Sequence, residues 1–92
     1  MIVFPEKTAA LMKKATEKWG VETQFNMLVG EIGELLELYG KSVQNRDRTE
    51  NWVEEVADVL IMCTQIAQVI GIEKVNEMIE KKVQKFQNKL EG

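Results

Sequence analysis

Apolar residues recur with a helical rather than an alternating period along almost the whole chain. Ala9, Leu11, Met12, Ala15 and Trp19 give residues 6–19 a loose apolar side, with Pro5 placed to start a helix and Gly20 to end it. A second helix is predicted from Glu22 to Tyr39, with Gly40 as its stop. On a helical wheel Phe25, Leu28, Val29, Ile32, Leu35, Leu36 and Tyr39 fill one broad arc, and Met27 and Leu38 lie on the other side. The polar stretch from Lys41 to Arg48 reads as a loop. Thr49 is placed to cap a third helix that runs to Ile70, where Gly71 stops it. The fourth, Glu73 to Leu90, carries Val75, Met78, Ile79, Val83 and Phe86 on one side.

The fold class expected is therefore all-α, with four helices in one domain over residues 1–92. The third helix is apolar almost all round at Val59-Leu60-Ile61-Met62-Cys63. An isolated four-helix domain offers each helix one buried stripe. A homo-oligomer, dimer or tetramer, is expected, with the second and third helices at or near its centre.

Composition removes several function classes. The net charge is −3 and no basic tract stands out, so no nucleic-acid polymer is expected as a partner. The first residues lack a basic segment followed by a long apolar run, and the run around Cys63 is far too short for a membrane span. Neither a signal peptide nor a membrane partner is expected. The single cysteine excludes an internal disulfide and fits a reducing cytosol; within its apolar stripe it reads as a buried structural thiol. With no histidine, Ser-His and Cys-His catalysis and the Glu-x-x-His di-iron bundle are excluded.

Two short words carry the candidate chemistry: Glu31-Ile32-Gly33-Glu34 and Glu55-Val56-Ala57-Asp58. Residues three apart share a helix face. On antiparallel neighbouring helices the four carboxylates could converge on one volume. Glu31 and Glu34 fall beside apolar arcs, and Glu55 lies among Val59, Met62 and Ile66. Carboxylates there need protonation, lysine partners or a divalent cation. An all-oxygen set suits Mg²⁺, Mn²⁺ or Ca²⁺. On the fourth helix Lys82, Lys85 and Lys89 share a face, with Lys81 and Asn88 nearby. Ammonium groups of this kind bind phosphate.

The words extend to Leu28-Val29-Gly30-Glu31-Ile32-Gly33-Glu34-Leu35-Leu36-Glu37-Leu38 and, after a charged gap, to Glu54-Glu55-Val56-Ala57-Asp58-Val59-Leu60-Ile61. In this form the chain resembles the MazG-like branch of the all-α nucleoside triphosphate pyrophosphatases, from Trp19 to Lys89. The resemblance implies a four-helix MazG-like bundle completed by oligomerisation. It implies Glu31, Glu34, Glu55 and Asp58 as catalytic residues and ligands of Mg²⁺, with Mn²⁺ as a substitute. The implied substrate is a nucleoside triphosphate, cleaved between its α and β phosphates to monophosphate and pyrophosphate in cytoplasmic house-cleaning. Lys82, Lys85 and Lys89 fall where the family places a lysine followed by arginine or asparagine residues for phosphate binding. This chain has no arginine there, and lysine keeps the charge but lacks the bidentate fork. Trp19 and Gln24 are the implied base contacts, with a core role for Trp19 as the competing expectation. The competing functions are hydrolysis of phosphoribosyl-ATP, narrow dUTP or dCTP hydrolysis, and a non-catalytic helical oligomerisation or regulatory module.

Overall fold

The computed structural model describes the backbone of residues 4–44 and 49–92 and the side chains of residues 4–40 and 52–92. The described residues form four α-helices: α1 Glu6–Trp19, α2 Val21–Gln44, α3 Thr49–Ile70 and α4 Ile72–Glu91. The all-α expectation holds, and the bounds of α1, α3 and α4 lie within a residue of those expected. Gly20 and Gly71 end α1 and α3 because each adopts a positive φ, 92° and 115°, which a side chain resists. Their N–H groups donate to the carbonyls of Thr16 and Ala67 at 2.8 and 2.9 Å.

Gly40 does not end α2. The helix runs four residues further, through part of the expected loop, and Gly40 keeps an ordinary negative φ. A glycine inside a helix costs about 1 kcal/mol relative to alanine, which flanking turns can carry. The rest of that loop, and the capping role expected of Thr49, lie outside the described residues.

α2 and α3 form the frame of the molecule, an antiparallel hairpin. On α2 the residues facing inward are Gln24, Leu28, Glu31, Leu35 and Leu38, all buried or half-buried. On α3 they are Trp52, Glu55, Val59, Met62 and Ile66, all half-buried. Both sets alternate steps of three and four, the spacing that keeps a seam aligned between two helices crossing at a shallow angle. Near the turn, Tyr39 and Trp52 meet edge to face with ring centroids 6.3 Å apart and an interplanar angle of 80°.

α1 is strapped to α3 by polar contacts. Gln65 donates to the carbonyl of Met12 and Gln68 to that of Ala9, both at 3.0 Å. The Thr16 hydroxyl donates to the same Met12 carbonyl at 3.2 Å. α4 turns away at 116° to α3 and, among the described residues, touches α3 only. From Lys81 onward every residue of α4 is exposed. No single described helix is long and apolar enough to cross a membrane.

The buried apolar side chains among the described residues are Met12, Leu38 and Ala67. A second stripe on α2, one residue ahead of the inward one, runs Phe25, Val29, Ile32, Leu36, Tyr39 and is exposed throughout. On α3, Val53, Val56 and Leu60 are exposed in the same way, beside Cys63. The cysteine is therefore not the buried thiol its apolar neighbours imply. Its position falls on the outward stripe of α3 rather than on the seam.

Candidate metal centre

The hairpin brings Glu31, Glu34 and Glu55 together: one oxygen from each lies within 4.8 Å of the other two. Glu31 and Glu55 occupy seam positions, where an apolar side chain would ordinarily sit. Each is half-buried, and each has one carboxylate oxygen (Oε2) shut from water without a hydrogen-bond partner. Glu34 is exposed and reaches the cluster from the rim. This is a partial correction, since the apolar arcs around both words place it in a drier setting.

Asp58 stands half-buried one turn along α3 from Glu55, outside the group of three. It acts on the cluster through its charge. Burial, followed by the charges of Glu34, Asp58 and Glu55, pushes the Glu31 carboxyl up to about 7. Glu55 is raised as well, by burial first and then by Glu34. At neutral pH the cluster therefore tends to hold a proton between the helices instead of carrying its full negative charge.

The donor set suits a hard cation. Two ligand oxygens on opposite sides of one divalent ion are about 4–5 Å apart, and the three carboxylates span a similar distance. The unpartnered Oε2 atoms of Glu31 and Glu55 are the groups such an ion would satisfy. All donors are oxygens, which favours Mg²⁺, Mn²⁺ or Ca²⁺ over softer metals.

The other site residues expected from the sequence fall elsewhere. Lys82, Lys85 and Lys89 are exposed on α4, and α4 makes no contact with α2 among the described residues, so the chain does not carry them to its own carboxylates. Trp19 is 55% exposed at the end of α1, with the Lys18 ammonium 5.6 Å from its ring centre, and is not a core residue. Gln24 is the most buried large side chain described, 1% exposed, with its Oε1 unpartnered. It lies on the carboxylate face of α2, two turns before Glu31. The buried Gln65 and the half-buried Gln68 also carry unpartnered Oε1 atoms, and sequence reading did not single them out. Two glutamines three residues apart on an apolar helix were the available signal.

No protein-family profile, curated protein or solved structure matches this chain.

Proposed function

We propose that the protein is a Mg²⁺-dependent nucleoside triphosphate pyrophosphohydrolase, acting in the cytosol as a homo-oligomer and releasing monophosphate and pyrophosphate. The observation that carries this reading is the convergence of Glu31, Glu34 and Glu55 from two helices, with two oxygens left unpartnered. The resemblance of the two acidic words to the MazG-like pyrophosphatases supplies the substrate class.

In this reading Glu31 and Glu55 hold the metal from the seam and Glu34 closes the set from the rim. Asp58 adds its charge beside them and is near enough in sequence to join as a fourth ligand. Bound there, Mg²⁺ would polarise phosphoryl oxygens and lower the pKa of a water. One of the carboxylates would orient that water or take its proton. Phosphoryl transfer needs positioning and charge stabilisation rather than a covalent nucleophile, so a chain without histidine is adequate for it. The α4 lysines of another copy would offer charge to the phosphates, and Gln24, 1% exposed, would meet a base only once its cover moves.

The test is release of pyrophosphate from a panel of common and damaged nucleoside triphosphates, with and without Mg²⁺. Metal-dependent release of pyrophosphate, with monophosphate as co-product, is the expected result. Absence of turnover across the panel, with metal bound, would favour a helical oligomerisation module instead.

A further inference from the structure

The chain exposes 7400 Å², whereas a compact folded protein of this mass exposes about 5,500 Å². Its radius of gyration is 15.6 Å against the about 12 Å of a compact domain of this length. The excess is roughly 1,900 Å² per chain. Two chains that remove it together would bury an area in the range of obligate homodimers, about 2,000–5,000 Å².

Much of the excess lies on two surfaces that do not meet within the chain. The first is α4, where Ile72, Val75, Ile79, Val83, Phe86 and Leu90 follow the 3.6-residue period along one side, and Leu90 is 88% exposed. A trough of about 450 Å³ lies at its base between Ile70 of α3 and this stripe, with Lys74 and Lys82 on its wall. An unsupported helix of this length is marginal in water. The second surface is the outward stripe of the hairpin, Phe25 to Tyr39 on α2 with Val53, Val56 and Leu60 on α3.

Charge separates the possible pairings. Residues 21–44 hold four glutamates and one lysine, and residues 49–70 hold four acids and no base. The second half of α4 carries Lys82, Lys85 and Lys89 on one flank of its apolar stripe, while Glu73 and Glu80 fall on the other and Lys81 and Glu77 lie on the far side. Two α4 helices packed antiparallel would set lysine flank against lysine flank. Packed parallel, they would match in charge but leave the hairpin stripes bare. Laid on the acidic hairpin of another copy, α4 covers both apolar surfaces in one reciprocal contact. Its length of about 30 Å exceeds the about 21 Å from Phe25 to Tyr39.

We propose that α4 is an exchanged arm: in a two-fold dimer each copy lays α4 on the outward α2–α3 face of the other. The contact rests on area, periodicity and charge, and does not depend on the metal reading.

Light scattering at micromolar concentration should give twice the chain mass of 10.6 kDa. Phe86→Glu, at a position 61% exposed in one chain, should return it to one chain mass, with far-ultraviolet dichroism losing no more than the contribution of the 20 residues of α4. The docking itself is read by cross-linking. In a Cys63→Ser background, Phe86→Cys chains mixed with Leu36→Cys chains should join through a short bis-maleimide far more than either variant joins to itself. A single-chain mass for the unaltered protein overturns the proposal, and so does cross-linking confined to Phe86→Cys alone. The arm and the hydrolase reading share the need for a second copy, so a single-chain mass counts against both; cross-linking that misses the hairpin overturns the arm alone, and absence of pyrophosphate release from a dimer overturns the hydrolase alone.

Discussion

Glu31 and Glu55 face each other across the α2–α3 seam, each with one oxygen sealed from water and unpartnered. Acids at seam positions oppose pairing of the helices that carry them. A bound cation reverses the sign of that opposition. Excess Mg²⁺ should therefore raise the thermal midpoint relative to EDTA, by an increment that grows with the logarithm of metal concentration. Glu55→Gln should raise the midpoint of the metal-free protein and abolish most of the metal response. Equal midpoints with EDTA and with Mg²⁺ at low salt would remove the metal site.

The acidity of Glu31 fixes the direction of a pH effect. Its folded value of about 7 lies above its ordinary value of 4.5, so the folded state binds the proton more tightly than the unfolded chain. The stabilisation is full below 4.5 and is lost as pH rises through about 7. Metal-free protein should melt at a higher temperature near pH 5 than near pH 8. Saturating Mg²⁺ should flatten or invert that trend, because metal and proton compete for the same oxygens. Melting curves at several pH values with EDTA and with Mg²⁺ measure both effects.

Asp58 and Lys85 separate metal chemistry from phosphate affinity. Asp58→Asn removes one charge from beside Glu31 and Glu55, so the apo protein should gain stability. If Asp58 ligates Mg²⁺, hydrolysis should fall by more than the roughly 10–100-fold that loss of an outer-shell partner costs. Lys85→Ala should mainly raise KM for triphosphate and leave kcat near its starting value. Near-normal turnover of Asp58→Asn at saturating metal would exclude it as a ligand.

Gly71 supplies the turn that directs α4 away from α3. At φ 115° an L side chain is strained, although an added Cβ would make only ordinary contact, at 3.5 Å, with the Lys74 side chain. Gly71→Ala should cost about 1–3 kcal/mol, the usual penalty for backbone held in a sparsely populated region. Gly33→Ala should act in the opposite sense: nothing lies within 4 Å of its added Cβ, and the helix should gain up to about 1 kcal/mol. Chemical denaturation of the two variants beside the parent measures both.

The helices were legible from sequence because their period and stops are local properties. Gly20 and Gly71 both do what a glycine at the end of a periodic segment implies. Gly40 fails that rule because continued helix on either side outweighs one unfavourable residue. The convergence of Glu31, Glu34 and Glu55 was legible in the pair of three-residue spacings on adjacent helices. The exposure of Cys63, Trp19 and Glu34 was not, because a hydropathy pattern marks which residues are apolar-facing but not which neighbour covers them. On α2 two apolar stripes lie side by side, and the wheel merges Leu28 and Leu35 of the covered one with the outward one into a single arc while setting Leu38 on the other side. Only the hairpin separates the stripe from Leu28 to Leu38, which it covers, from the stripe that begins at Phe25.

The sparse interior, Met12, Leu38 and Ala67, has a consequence for how this protein tolerates change. In an ordinary small domain, substitutions are most damaging at the most enclosed positions. Here the ranking should invert along α4 and the outer side of α2. Leu36 and Phe86, open to water in one chain, should be among the least replaceable residues wherever the protein is abundant enough to meet itself. The same substitutions should pass almost unnoticed in a dilute preparation. Mutational tolerance would then be a property of dosage as well as of sequence.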